Sequence, residues 1–168
     1  AAVLADGSVV TWGDPLFGGD SSKVQSQLRS LRQVQGTLAA FAAILADGSV
    51  VTWGDPLNGA DSSAVQNQLQ NVRQVHGTRA AFAAVLADGS VVTWGDVDEG
   101  GAESFHVQDQ LRNVRQVQAT KFAFAALLAD GSVVTWGDPR YGGDSSKVQS
   151  RLQGVEQVEA THMAFAAI

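Results

Sequence analysis

The chain contains no cysteine. Disulfides, thiolate metal sites and cysteine nucleophiles are therefore excluded, and the redox compartment is left undetermined. Long apolar runs are missing as well. The longest, Phe122–Ala129, ends in Asp130-Gly131 and falls far short of the roughly 20 residues that span a bilayer, so no membrane partner is expected. No signal-peptide pattern opens the chain. Basic residues are scarce: 11 Lys and Arg against 17 Asp and Glu give a net charge of -6. An acidic surface repels phosphate backbones, so nucleic acid is not an expected partner.

What is present is repetition. The string LADGSVVTWGD occurs at Leu4–Asp14, Leu45–Asp55, Leu86–Asp96 and Leu128–Asp138. Its tryptophans, Trp12, Trp53, Trp94 and Trp136, lie 41, 41 and 42 residues apart. The 168 residues therefore divide into repeats 1–41, 42–82, 83–124 and 125–165, followed by the start of a fifth, and are expected to form one repeat domain. The extra residue of the third interval falls in the loop Asp96–Phe105, where Val97 stands in place of Pro15, Pro56 and Pro139.

Each repeat reads as a set of short elements. An Asp-Gly pair between apolar, β-branched segments signals a hairpin, with strands near Ala39–Leu45 and Ser49–Trp53 in the second copy. A Pro/Gly-rich loop follows, as in Pro15–Asp20. Ser22 with Gln25, Ser63 with Gln66 and Ser146 with Gln149 form an S-x-x-Q pattern that predicts a capping box; Phe105 and Gln108 break it in the third copy. Val24, Leu28 and Leu31 then predict a helix of some two or three turns, too short to stand alone. Arg32–Gln35 alternates as a third strand. No single unit can bury its apolar face, so neighbours must stack. A period near 40 with a hairpin and a Trp per unit predicts propeller blades with short helices, as a four-blade segment or a compact four-blade ring. The C-terminal Ala164–Ile168 could close a ring by pairing with Ser8–Trp12; otherwise open edge strands invite self-association.

The succession L-x-x-[LV]-x-x-V, as in Leu28, Leu31 and Val34, runs through Gly36-Thr37 to an Ala-rich strand and D-G-S-V-V-T-W-G at Asp47–Gly54. It resembles the regulator-of-chromosome-condensation repeat over essentially the whole chain. The resemblance implies a propeller and an intracellular location, although the residues themselves leave the location unknown. It also implies guanine-nucleotide exchange or a chromatin-associated role as an alternative function; the acidic charge and missing basic stripes weigh against chromatin. Blades of 41 residues are shorter than that family's.

The residues that could carry chemistry each have a structural reading beside the functional one. The tryptophans could stack a ligand, but the leading reading is that each locks one blade on the next. Asp6, Asp47, Asp88 and Asp130 precede Gly in turns, and Asp14, Asp55, Asp96 and Asp138 follow Trp-Gly. Their spacing does not match a calcium loop, and His76, His106 and His162 fall at different repeat positions, so no metal or other cofactor is expected. No G-x-S-x-G elbow occurs, and Ser and Thr recur with the repeat, so the chain reads as no enzyme. A glycan-binding or hydrolytic propeller ranks third. The acidic break in the repetition, Asp96–His106 with Asp98, Glu99 and Glu103, is a candidate for a basic partner.

Two positions vary inside the constant frame. After Trp-Gly-Asp come Leu16-Phe17, Leu57-Asn58, Asp98-Glu99 and Arg140-Tyr141, and after Gly-Thr or Ala-Thr come Leu38, Arg79, Lys121 and His162. Variable side chains on a rigid scaffold are where repeat proteins place recognition. The leading expectation is a non-catalytic scaffold that binds protein partners through these loops.

Overall fold

The computed structural model describes residues 1–100 and 103–168. Gly101 and Ala102, inside the acidic break, lie outside the described residues, as does the side chain of Glu103. The described chain is mainly β. Strands β1 (Ala2–Val3) and β2 (Val9–Val10) form a first hairpin. Three three-stranded antiparallel sheets follow: β3 (Leu31–Gly36), β4 (Ala40–Leu45) and β5 (Val50–Gly54); β6 (Val72–Gly77), β7 (Ala81–Leu86) and β8 (Val91–Gly95); β9 (Val114–Ala119), β10 (Ala123–Leu128) and β11 (Val133–Gly137). A last hairpin joins β12 (Val158–Ala160) to β13 (Phe165–Ala167).

The Asp-Gly signal set the hairpins correctly. Asp47 accepts from Ser49 N (2.9 Å) and Ser49 Oγ (2.7 Å), and Gly48 N donates to Leu45 O at 3.0 Å. The same carboxylate–serine turn recurs at Asp88 and Asp130. The sheets are out of phase with the sequence repeat, however. Each opens with the last strand of one repeat and is completed by the hairpin of the next, as Val34↔Ala43 and Ala43↔Val51 show.

Face-to-face stacking explains the Ala-rich central strands. On one side of β4, Ala40, Ala42 and Ile44 pack with Val75, Phe82 and Trp94 of the next sheet and with Leu69 in the segment leading into it. On the other side Ala43 packs with Val9, Leu28 and Trp53. A strand covered on both faces loses polar alternation and favours small residues where sheets approach. Each blade's Trp stacks on the Phe opposite it in the same sheet: Phe41–Trp53, Phe82–Trp94 and Phe124–Trp136 all have ring centroids 5.2 Å apart. Its indole N–H reaches back to the preceding loop, where Trp53 donates to Gly18 O (3.1 Å), Trp94 to Gly59 O (2.9 Å) and Trp136 to Gly100 O (3.1 Å). Gly59 is fixed twice over: its φ is +97°, and a Cβ there would lie 2.8 Å from the Phe82 ring.

Three sequence expectations are corrected. The helix expected after the Pro/Gly loop is a set of 3₁₀ turns, including Gln66–Gln68, Gln108–Gln110 and Gln149–Arg151. Leu28 is buried as expected, but Leu31 belongs to β3. The segment is too short to nucleate an α-helix, and its serines bond locally instead. Nor is S-x-x-Q a capping box. The preceding serine is the partner: Ser62 Oγ donates to Gln66 Oε1 (2.8 Å), and Gln66 Nε2 donates to Val50 O (3.0 Å). The third copy keeps this relay through Ser104 and Gln108 (3.4 Å). The ring-closing pair of Ala164–Ile168 with Ser8–Trp12 is also not formed. β2 takes β1 and β13 takes β12, each across a short turn whose closure costs least chain entropy.

Removing a blade lock should be costly. Trp94→Ala is expected to lower stability by about 3–5 kcal/mol in a urea melt. Trp12, 67% exposed against 5% for Trp94, should tolerate the same change within about 0.5 kcal/mol. Equal losses at both positions would contradict the locking role.

Acid should loosen the turns. The Ser90 hydroxyl and then its amide hold Asp88 below its ordinary 3.8, and Asp47 and Asp130 repeat this with Ser49 and Ser132. A depressed carboxylate contributes stability above its unfolded pKa and loses it as pH falls through the folded value. The melting temperature is therefore expected to drop below about pH 4. A variant carrying Asp47→Asn, Asp88→Asn and Asp130→Asn should show a flatter fall.

Candidate functional site

The variable residues lie at one end of the blades because the strands are antiparallel. Asp-Gly turns cap the other end. At the variable end, Asp14, Asp55 and Asp138 each cap a 3₁₀ turn (Pro15–Phe17, Pro56–Asn58, Pro139–Tyr141) by accepting from the amide of Leu16, Leu57 or Arg140. Asp96 does the same for Asp98 N at 2.9 Å. These carboxylates are thus committed to turn formation, the structural alternative to a calcium site.

The first residue of each variable pair is displayed outward: Leu16 is 76% and Leu57 79% exposed. Arg140 is exposed but folds back on Asp138, with Nη2 2.7 Å from Oδ2. The second residue leans on the Gly-Thr or Ala-Thr turn that closes the preceding repeat, within the same sheet. Thr37 Oγ1 donates to Asn58 O (2.9 Å), Thr78 to Glu99 O (3.0 Å) and Thr120 to Tyr141 O (3.0 Å). Phe17 has no such threonine among the described residues.

That turn carries the second variable set. Leu38 N donates to Arg79 O (2.7 Å), Arg79 N to Lys121 O (2.8 Å) and Lys121 N to His162 O (3.0 Å). Leu38, Arg79, Lys121 and His162 therefore stand in one backbone-linked column that crosses from blade to blade. The two sets, 21 residues apart in sequence where threonine ties them, are brought onto one face. The threonines are the functional positions that sequence reasoning passed over. Their signal was present as the recurring Thr after Gly or Ala, but its bond is long-range and invisible to a local pattern.

An ion pair joins repeats two and three. Arg79 Nη1 lies 3.0 Å from Glu99 Oε1. Glu99 is only 8% exposed, and its Oε2 has no partner among the described residues. Burial raises its pKa above the ordinary 4.5, opposed by the Arg79 hydrogen bond and charge. Glu99 is thus a structural carboxylate, whereas Asp98 beside it is exposed. At the next junction, Phe122 meets Tyr141 edge-on at 4.4 Å, Lys121 Nζ sits 4.9 Å from the Phe122 ring and Arg79 Cζ 5.9 Å.

A raised carboxylate favours the fold below its unfolded pKa and loses that contribution as pH rises through the folded value. Wild-type melting temperature, measured relative to Glu99→Gln, should therefore fall as pH is taken upward from about 4.5. A constant difference across that range would show that Glu99 is not held in a desolvated state.

No family model matches the chain, and no curated protein matches it. Among solved structures, Prp20p of Saccharomyces cerevisiae, described with its binding properties to Gsp1p and histones, matches 94% of this chain at a TM-score of 0.52 and 14% identity. The CRINKLY WD40 ectodomain of the Arabidopsis thaliana receptor kinase ACR4 matches 82% at 0.53 and 16% identity. Yeast RCC1 (Prp20) bound to Kap60 matches 64% at 0.46 and 16% identity. This chain spans 45%, 49% and 29% of the lengths of those three. At such identities the likeness is one of fold alone, that of β-propeller-blade repeats.

Proposed function

We propose that this repeat scaffold is non-catalytic and binds a protein partner through the face built from its two variable sets. One observation carries the reading: side chains that change from copy to copy converge at one end of the blades, while the frame that holds them stays constant. Threonine bonds and the backbone column fix their positions, so ordering this face on binding costs little. The outward Leu16 and Leu57, with Tyr141 and Phe122, supply the apolar and aromatic contact that interfaces favour. Gsp1p and histones are named for Prp20p alone, and likeness of fold does not transfer a partner. The exchange and chromatin roles therefore gain no support beyond the resemblance.

The test uses a photo-crosslinking residue placed at Tyr141 or, as a control, at Ser49 on the Asp-Gly end. Exposed to an extract of the source cells, the Tyr141 form should capture a protein that the Ser49 form does not. Capture at both ends alike, or only at Ser49, would overturn the assignment of the face.

A further inference from the structure

We propose that the column Arg79–Lys121–His162, with Phe122 and Tyr141 beside it, docks a short acidic segment of a partner protein. The inference rests on the scaffold reading above and gives its partner a chemistry. Departures from the frame come first. The position after the column residue is Ala39 and Ala80 in the early copies but Phe122 and Met163 in the later ones. The column begins apolar at Leu38 and continues with three residues that carry or accept positive charge. Residues that break the repetition at separate sequence positions thus meet in one place.

The geometry suits carboxylates. Backbone hydrogen bonds of 2.8 and 3.0 Å link Arg79 to Lys121 and Lys121 to His162, so the heads of successive residues can address one extended segment. They border a groove of about 480 Å³ that also takes in Thr78, Thr120 and Thr161. Lys121 and Arg79 flank the Phe122 ring within cation–π range, which limits their rotamers before a ligand arrives. Glu99 engages only Nη1 of Arg79, whose side chain is 44% exposed, so the rest of the guanidinium fork remains for a ligand carboxylate.

The electrostatics favour a peptide over a nucleic acid. The chain as a whole carries -6, so a long polyanion reaching past the patch would meet repulsion. A segment of a few acidic residues stays within the basic column.

The experiment measures fluorescence anisotropy of a short fluorescein-labelled peptide of alternating glutamate and glycine, titrated with the 168-residue chain at low salt. Binding is expected to weaken on adding salt and to fall about tenfold or more in Lys121→Glu. It should fall about threefold in Phe122→Ala, which restores the residue of the earlier copies and so preserves the frame. Arg29→Glu, exposed and away from the column, should leave it unchanged. The melting temperature of each variant confirms that it is folded. The proposal is overturned if the peptide does not bind, if Lys121→Glu binds it as well as wild type, or if a single-stranded oligonucleotide of equal charge binds more tightly. A protein captured at Tyr141 while the acidic peptide fails would leave the scaffold reading standing and remove only this one.

Discussion

Everything in this chain hangs on an indole hydrogen bond thrown backwards across a blade boundary. Trp53, Trp94 and Trp136 each stack on a phenylalanine of their own sheet and donate to a glycine carbonyl in the loop before it. That single contact joins intra-blade packing to inter-blade order. It also explains why the glycine cannot change, since the Phe ring occupies the space a Cβ would need. An N–H buried with the ring must find an acceptor, and only one backbone arrangement of the neighbouring loop supplies it. The loop that carries the first variable set is thereby held by the core itself.

The recognition face follows from that constraint. Because the glycine after each variable pair is pinned, the pair is presented in a fixed place whatever its identity. Threonine then anchors the second residue of the pair to the turn that closes the preceding repeat. Leu57-Asn58 and Arg140-Tyr141 can differ completely in chemistry without disturbing the blade. The cost of variation is low where the backbone is fixed by other groups, and the chain has changed where it is cheap to do so.

Much of this was legible in the sequence, for a physical reason. Hairpins at Asp47-Gly48 and Asp88-Gly89 are local structures, and a period of 41 residues forces stacking. The blade-locking role of the tryptophans was one of two readings, and the burial of Trp53, Trp94 and Trp136 decides for it. What could not be read were contacts whose partners are far apart. The apolar spacing of Val24, Leu28 and Leu31 imitates a helix, yet Leu28 serves the interface between sheets and Leu31 a strand. The serine bonding Gln66 was misassigned by one residue, because Ser62 and Ser63 are chemically alike and only the position of the outer strand separates them. Glu99 looked like one acid among several in a divergent loop; its burial against Arg79 is a tertiary fact.

The offset between repeat and blade reaches into how such a chain is made and changed. A sheet opens with β3 from one repeat and finishes with the hairpin of the next, so every repeat junction is sewn through by main-chain hydrogen bonds. During synthesis a blade stays unfinished until the following repeat has left the ribosome, which ties the order of folding to the order of translation. In the gene, unequal crossing-over that inserts or removes one whole period would never sever a sheet. Each such event would exchange one seam for an equivalent one, so copy number can drift while the stitching survives.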